Sequence, residues 1–237
     1  MRIQRMLLFV SFLFLAVQSS PVNGHVLETQ NTANTGTTNN FVNLPTRRTV
    51  VVLPIFTQAA YSPHGFYWFY DGRCGFKCLT VPIPKHFTDS YVSGGGIDDV
   101  LLDQNFTYIT DLDVDKNPTI LNKYDKVILL HNEYVTQKEF DAITQHPHVI
   151  YLYPNALYAE VEVNYDMNTI TLVKGHGYPQ KDISNGFGWM FDNSKYEYNT
   201  ECENWQFYKI KNGYMLDCYP QLVIQNDNLM LEKMMLL

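Results

Sequence analysis

Three short runs of large, mostly β-branched apolar residues constrain the fold of this chain more than any other feature. They are RTVVVLPIF at 48–56, KVILL at 126–130 and VIYLY at 149–153. Strands that are buried on both faces, as in a parallel sheet covered by helices, have continuous apolar sequences of this kind. Between the last two runs, Thr136 and Glu139 form the pattern of a helix capping box. Strand, helix and strand in this order predict a right-handed βαβ unit.

The remaining patterns extend this prediction to the whole domain. A helix is expected at 97–104, after the glycines of SGGG, and a strand at 106–110. Period-two alternation around 166–168 and around Asn212-Gly213 predicts two β-hairpins. We therefore expect an α/β fold: a three-layer, flavodoxin-like, mostly parallel sheet with an antiparallel β-hairpin extension at its C-terminal part.

The first 24 residues have the layout of a secretory signal peptide. Arg2 and Arg5 precede an apolar stretch from Met6 to Val17, and small and polar residues follow. Cleavage is expected between Ser19 and Gly24. An uncleaved membrane anchor is the alternative, although the apolar stretch is shorter than the ~20 residues of a spanning helix.

Residues 25–43 predict a flexible tether, because this Thr- and Asn-rich stretch has too few large apolar groups to offset the entropy of ordering. The folded domain is expected at 44–237, with no transmembrane segment after the signal peptide. We expect a protein that is secreted, or held outside the cell at its surface by a partner. An acceptor sequon at Asn105 is compatible with export and with a glycan there.

The charge balance argues against a nucleic-acid partner. The formal net charge is −7, and the 17 Lys and Arg residues are scattered along the chain. Phosphate binding requires a concentrated basic patch. The oligomeric state is not predicted.

Four cysteines in an exported chain predict two disulfides, because the compartment is oxidising. Of the three possible pairings we prefer Cys74 with Cys78, which bracket a short loop, and Cys202 with Cys218, which flank a hairpin pattern. A four-thiolate metal site is the alternative, but neither pair has the two-residue spacing of a zinc knuckle.

Polar side chains follow two of the predicted strands directly. His131 and Glu133 come just after KVILL, and Asn155 comes just after VIYLY. In an open parallel sheet, ligands bind beyond the carboxyl ends of the strands, so these side chains are candidates for one small-molecule site. The glutamate could ligate a metal or act as a base, the histidine could move a proton, and the asparagine could polarise a carbonyl. The alternative is a structural hydrogen-bonded turn at a helix entrance.

His176 is a further candidate, because it stands between two glycines at the end of a predicted strand, in VKGHGYP. The glycines would let the backbone approach a ligand closely, and the histidine would be an additional ligand or proton carrier. A solvent-exposed loop histidine is the alternative. No GxSxG-like elbow is present, so acyl-enzyme chemistry of the usual hydrolase kind is disfavoured.

The segments LLHNEYVTQKEFDAI and VIYLYPNALY resemble a known family. A buried strand followed by His-x-Glu-Tyr, a Thr and an amphipathic helix, then a strand ending in Pro-Asn, is similar to the amidotransferase-like domain in the large subunit of N,N-dimethylformamidase. The resemblance covers roughly residues 49–160. The chain also resembles uncharacterised secreted archaeal proteins with this domain.

This resemblance implies a class I glutamine amidotransferase fold without its thiol nucleophile. In that family a mononuclear iron, held by two tyrosinates and a glutamate, hydrolyses a small amide, and the resemblance implies the same kind of site here. Zinc is the alternative metal. Glu133 would be the metal ligand, His131 a catalytic group beside it, and Asn155 a substrate-orienting amide. The candidate tyrosine ligands, in YSPHGFYWFYDG, are Tyr61, Tyr67 and Tyr70.

Two classes of function therefore stand at the level of sequence. The first is a secreted, metal-assisted amidohydrolase-like protein that uses these residues. The second is a non-catalytic extracellular or cell-surface binding protein on the same scaffold. The aromatic content of 17 Tyr, 14 Phe and 3 Trp supports the second, since such side chains offer flat, amphipathic contact area.

Overall fold

The computed structural model describes residues 48–88, 106–220 and 228–237. All of them belong to the second of the two units into which the chain divides, Leu44–Leu237. The predicted signal peptide, the tether, the helix at 97–104 and the sequon at Asn105 lie outside the described residues.

The described residues contain ten strands and five α-helices. In chain order these are β1 (Thr49–Leu53), α1 (Ile55–Ala60), α2 (Phe66–Tyr70), β2 (Thr80–Pro82), β3 (Thr107–Thr110), α3 (Asp111–Lys116), β4 (Lys126–Leu129), β5 (Tyr134–Val135), α4 (Gln137–Gln145), β6 (Val149–Tyr151), β7 (Ala159–Asn164), β8 (Thr169–Lys174), β9 (Phe207–Ile210), β10 (Gly213–Leu216) and α5 (Asn228–Leu236). Short 3-10 helices occur at Phe76–Leu79, Pro118–Lys123 and Ser194–Tyr196. None of the described helices has the length and apolar character needed to cross a membrane.

The first sheet has six strands in the order β3-β1-β4-β6-β10-β9. All neighbouring pairs are parallel except β10 and β9, which form an antiparallel hairpin. The prediction of a mostly parallel sheet with a hairpin at its edge is confirmed. Gly213 permits the pairing of β10 with β6, because a Cβ at this position would lie 1.8 Å from the carbonyl oxygen of Val149.

The second sheet has four strands in the order β2-β8-β7-β5. The hairpin of β7 and β8 forms where the sequence predicts one, but it does not extend the first sheet. Instead β7 pairs in parallel with the two-residue strand β5, and β8 pairs with β2. The chain therefore passes from one sheet to the other between the end of β4 and the start of β5.

Both faces of the first sheet are buried, as the continuous apolar runs predict. Val50 and Val52 of β1 pack into one apolar cluster with Val114 of α3 and Ile143 of α4. Val51 packs into the opposite cluster, which includes methionines of α5. The predicted capping box of α4 is confirmed: Thr136 accepts from the Glu139 amide, and the Glu139 carboxylate accepts from the Thr136 amide.

The cysteines form the two predicted disulfides, Cys74–Cys78 and Cys202–Cys218. All four thiols are thereby used, so the alternative of a four-thiolate metal site is wrong. The second disulfide is buried in the cluster that covers one face of the first sheet.

Candidate functional site

The segment from His131 to Glu133 connects the two sheets. It follows β4 after Leu130 and ends where β5 begins, and all three of its residues are completely buried. A histidine and a glutamate with 0 % exposed side chains require nearby partners, because an unpaired buried charge is strongly unfavourable. The environment of Glu133 therefore decides what this segment can do.

Backbone hydrogen bonds hold Glu133 in place from both sides. The amides of Glu133 and Tyr134 donate to the Thr57 hydroxyl of α1, at 3.0 and 3.3 Å. The carbonyl oxygen of Glu133 accepts from the amides of Tyr158 and Ala159, at 2.9 and 3.0 Å. The carboxylate thus projects from a backbone that both α1 and the start of β7 fix.

Both carboxylate oxygens of Glu133 have side-chain partners. Oε2 accepts a hydrogen bond from the Tyr61 hydroxyl at 2.8 Å and lies 3.4 Å from His131 Nε2. Oε1 lies within hydrogen-bonding distance of His176 Nε2. The Tyr67 hydroxyl in turn donates to the Tyr61 oxygen at 2.6 Å. Three residues that the sequence singles out therefore contact one carboxylate, and Tyr67 is linked to it through Tyr61.

Two short helices deliver the tyrosines, and the sequence does not predict either helix. Helix α1 follows β1 after Pro54 and is capped at its C-terminal end by Tyr61, while α2 carries Tyr67 and Tyr70. These two residues are three positions apart and share one face of the helix. Tyr70 does not take a place beside Tyr61: its hydroxyl lies 3.5 Å from the Tyr134 hydroxyl, and its ring packs against His176.

Two tyrosines that the sequence analysis does not identify position His131. The imidazole stacks on Tyr153, with ring centroids 5.0 Å apart, and its Nδ1 lies 3.4 Å from the Tyr219 hydroxyl. Nε2 is thereby directed at Glu133. Tyr219 follows Cys218 in an irregular segment, where no periodic pattern indicates its position.

Asn155 lies in a strained turn beside the same segment. Its backbone φ is +60°, and the turn is tied to the site by a hydrogen bond from the Leu157 amide to the Asn132 carbonyl oxygen. The Asn155 side chain is 1 % exposed, and within the described residues neither of its amide atoms has a hydrogen-bond partner. A buried amide without partners costs about 1–3 kcal/mol, so this side chain is suited to a ligand's polar group.

The charges at the site are set by burial and by mutual contacts. Burial acts to raise the pKa of Glu133, but the hydrogen bond and charge of His176, together with His131 and Tyr61, outweigh it and hold this pKa below its usual value. Burial, followed by the charge of Glu133, raises the pKa of Tyr61 and Tyr67 far above the usual value of a phenol. The carboxylate is ionised at neutral pH, and both phenols keep their protons unless a cation displaces them.

A cavity of about 850 Å³ opens above this cluster. Tyr67 and His176 belong both to its lining and to the hydrogen-bonded group around Glu133. They form the point at which a molecule in the cavity would meet the buried site. The remaining lining residues are Phe69, Tyr70, Asp71, Tyr158, Gly177, Lys181, Ser194, Lys195, Glu197 and Tyr198.

Glu197 is a second carboxyl group at this site that the sequence analysis misses. It follows the 3-10 helix Ser194–Tyr196, lines the cavity and is half buried. Burial, and next the charge of Glu133, raise its pKa above the usual value. A raised pKa makes a carboxyl group a better candidate for a general acid.

Metal binding here would depend on phenol oxygens. Among the residues that the structure describes, no group of three or more His, Cys, Asp or Glu side chains is arranged to hold a metal ion. The donors that converge are one carboxylate, the phenols of Tyr61 and Tyr67 and the imidazole of His176. Hard oxygen donors with one nitrogen suit a highly charged cation, which would also remove the phenol protons.

A comparison with models of known protein families finds no model that matches this chain, and a comparison with curated proteins finds no significant match.

Proposed function

We propose that this protein is a metal-assisted amide hydrolase that uses Glu133 and the tyrosines around it. One observation carries the proposal: the Tyr67 hydroxyl, the Tyr61 hydroxyl and the Glu133 carboxylate form a continuous chain with contacts of 2.6 and 2.8 Å. Two phenols and one carboxylate are the ligand set that the resemblance to N,N-dimethylformamidase implies. The function class comes from that resemblance, and the contacts support it.

The topology of the first sheet also supports the resemblance. Its first four strands, in the order β3-β1-β4-β6, are all parallel, which corresponds to the order 2-1-3-4 of a flavodoxin-like sheet. Glu133 and Asn155 follow β4 and β6, at the carboxyl edge where such sheets bind ligands. The three-layer amidotransferase-like arrangement is part of the proposal.

The metal that fits these donors best is ferric iron, held by Glu133, Tyr61 and Tyr67, with zinc as the alternative. When bound, the metal would supply Lewis acidity toward the amide carbonyl and would lower the pKa of a bound water. His176 would complete the ligand set or hold a proton beside it.

The protein's own groups then have distinct tasks. His131, which Tyr153 and Tyr219 hold in place, orients the Glu133 carboxylate. Asn155 is not among the residues that line the cavity, but its partnerless amide would donate to a substrate carbonyl oxygen that reaches the buried turn, where that oxygen becomes more negative during the reaction. Glu197 gives its proton to the departing amine nitrogen.

Export is part of the same proposal. The two disulfides accord with an oxidising compartment, in which the thiols of Cys74, Cys78, Cys202 and Cys218 would be paired. The secreted location rests on the signal-peptide pattern at residues 1–24.

Elemental analysis of the full chain, purified oxidised and incubated with iron or zinc, tests the proposal. We expect near-stoichiometric metal in the native protein, a visible phenolate-to-metal absorption band if the metal is iron, and loss of metal in Glu133→Gln. Glu162→Gln, which changes an exposed glutamate of β7, is the matched control and should retain the metal. Absence of metal from the native protein after both incubations would overturn the metal-assisted mechanism.

The second candidate function is a non-catalytic binding protein that acts at a cell surface. The observation that favours it is the exposed aromatic rim of the cavity, where the side chain of Tyr198 is 88 % exposed. In that case ligand binding would persist in the Glu133→Gln variant. Loss of metal together with retained binding distinguishes this function from hydrolysis.

A further inference from the structure

We infer that the ligand of this site is an amide that also carries an aromatic ring and a carboxylate, and that Lys181 and Lys195 at the cavity rim bind this carboxylate. The inference rests on the proposed function for the amide, since it places that group at the Glu133 end of the cavity. The class of substrate follows from the size of the cavity, its walls and its charges.

The cavity is too large for a very small ligand to fill it. Ligand pockets of about 300–1,000 Å³ hold molecules of drug size, and this cavity measures about 850 Å³. A simple formamide would leave most of this space to water. The cavity is suited to a molecule with a ring and at least one further substituent.

The walls are aromatic on several sides. Phe69 and Tyr70 come from α2, Tyr158 precedes β7, and Tyr198 follows the 3-10 helix Ser194–Tyr196. These rings lie on different segments and line one open pocket. Aromatic side chains contact ligand rings in offset-stacked or edge-to-face geometry, each worth about 0.5–1.5 kcal/mol.

The lining of the cavity contains two lysines and two acids. Lys181 and Lys195 are exposed, and among the described residues neither lies within ion-pair distance of a carboxylate. Of the two acids in the lining, Asp71 pairs with Arg73, and Glu197 faces Glu133 and His176. Lys195 Nζ lies 4.8 Å from the centroid of the Tyr196 ring, a contact that leaves its charge without an acidic partner in the described part of the chain. Both ammonium groups can therefore approach an anionic group of a ligand.

Lys181 lies near His176 both in the sequence and in the fold. The Gly177 amide donates to the Ile183 carbonyl oxygen, and a Cβ on Gly177 would lie 3.7 Å from the Lys181 carbonyl oxygen. The backbone of Lys181 therefore packs on the turn that carries His176. An N-acyl α-amino acid carries an amide and a carboxylate only a few bonds apart, so it could present them to His176 and Lys181 together.

Calorimetric titration at low ionic strength tests this inference, with N-acetyl-L-tyrosine and its uncharged carboxamide as the two probes. We expect the full-length native protein to bind the carboxylate probe about fivefold more tightly, since two exposed ion pairs contribute modestly. Lys181→Gln/Lys195→Gln should abolish this preference. Lys123→Gln/Lys211→Gln removes the same charge from exposed positions outside the cavity and should retain it.

Three results would overturn the inference: equal affinity for the two probes, a preference that survives the cavity double variant, or no binding of either probe. Repeating the titration with chelated protein separates this inference from the proposed function. Carboxylate preference without metal binding or hydrolysis would support the ligand class and overturn the hydrolase. Metal binding and amide hydrolysis without carboxylate preference would support the hydrolase and overturn the ligand class.

Discussion

Tyr61 donates a 2.8 Å hydrogen bond from its hydroxyl to Oε2 of Glu133, across 72 positions of sequence. The acceptor is a completely buried carboxylate, and the donor is itself the acceptor of the Tyr67 hydroxyl. This contact ties the C-terminal end of α1 to the segment that joins the two sheets. The side chains of Tyr61 and Glu133 therefore contribute both to the stability of the fold and to the candidate site.

The Tyr61→Phe variant should lose about 2 kcal/mol of stability in chelated protein at pH 7, because hydrogen bonds to buried charges contribute about 1.5–3 kcal/mol. The loss should shrink in acid. Glu133 has a lowered pKa in the folded state, so its contribution is present above its ordinary value of 4.5 and is lost as pH falls through the folded-state value. Urea denaturation at pH 7 and pH 3 measures both effects.

Tyr151→Phe is the matched control for this prediction. Its hydroxyl is also buried and contacts Asn212 Nδ2 at 3.1 Å, but no carboxylate is involved. We expect a loss of about 1 kcal/mol that is the same at both pH values. An equal pH dependence in the two variants would contradict the assignment of the Tyr61 effect to Glu133.

Glu197→Gln should lower the turnover of any amide that the protein hydrolyses by about 100-fold or more, the usual contribution of a general acid. Metal content should be unchanged, since Glu197 is not among the groups that contact Glu133 directly. The raised pKa of Glu197 predicts that activity falls on the alkaline side as this group loses its proton, and that this limb disappears in the variant. The measurement is a pH profile of kcat.

The control for Glu197 is Glu203→Gln, at an exposed position outside the cavity. It removes the same charge and should leave the profile unchanged. If Glu197→Gln keeps full activity with an unaltered alkaline limb, Glu197 is not the proton donor.

Local sequence patterns predict the helices and strands whose formation depends on residues close together in the chain. Strands β1, β4 and β6 appear as continuous apolar runs, and α4 appears through its capping box. The membership of β7 and β8 in a second sheet has no such signal. It depends on the pairing of Tyr134 with Ala159, a contact of the two-residue strand β5, which is too short for any periodicity.

Local sequence patterns likewise predict some residues of the candidate site and not others. His131 and Glu133 are predictable because they follow a buried strand directly, and Tyr61 and Tyr67 come from the resemblance alone. Glu197 and Tyr219 lie in irregular segments, where the position of a side chain depends on tertiary packing rather than on periodicity. Polar residues in such segments are indistinguishable in sequence from ordinary loop residues.

Removal of the buried disulfide, by Cys202→Ala/Cys218→Ala, should cost about 3 kcal/mol, the loop-entropy value for a closure of this length. The Cys74–Cys78 disulfide joins residues only four positions apart, so its removal by Cys74→Ala/Cys78→Ala should cost about 2 kcal/mol. Urea denaturation of both variants measures the difference. A larger loss at Cys74 and Cys78 would show that their loop supports α2 and the tyrosines beyond its entropic contribution.

Asp111 and Glu139 form a buried acidic pair next to the site. Their effect on the pH dependence of stability is opposite in sign to that of Glu133. Asp111 accepts from the Phe56 amide and from Asn132 Nδ2, and the carboxyl group of Glu139 lies against it. Burial raises the pKa of Asp111 from its ordinary value of 3.8 to about 7, and burial followed by the charge of Asp111 raises that of Glu139. The folded protein therefore binds a proton that the unfolded chain releases above pH 4.

This pair should lower the stability of the native protein as pH rises from 4 to 7, because the folded state binds more protons than the unfolded state in that window. Glu139→Gln keeps the oxygen that accepts from the Thr136 amide and replaces the shared proton with a permanent amide donor. Relative to the native protein, the variant should gain stability as pH rises, by about 3 kcal/mol at pH 8. Urea denaturation from pH 4 to pH 8 measures this gain. The exposed control Glu162→Gln should show none, and a native-minus-variant difference that is constant with pH would mean that Asp111 and Glu139 do not share a proton.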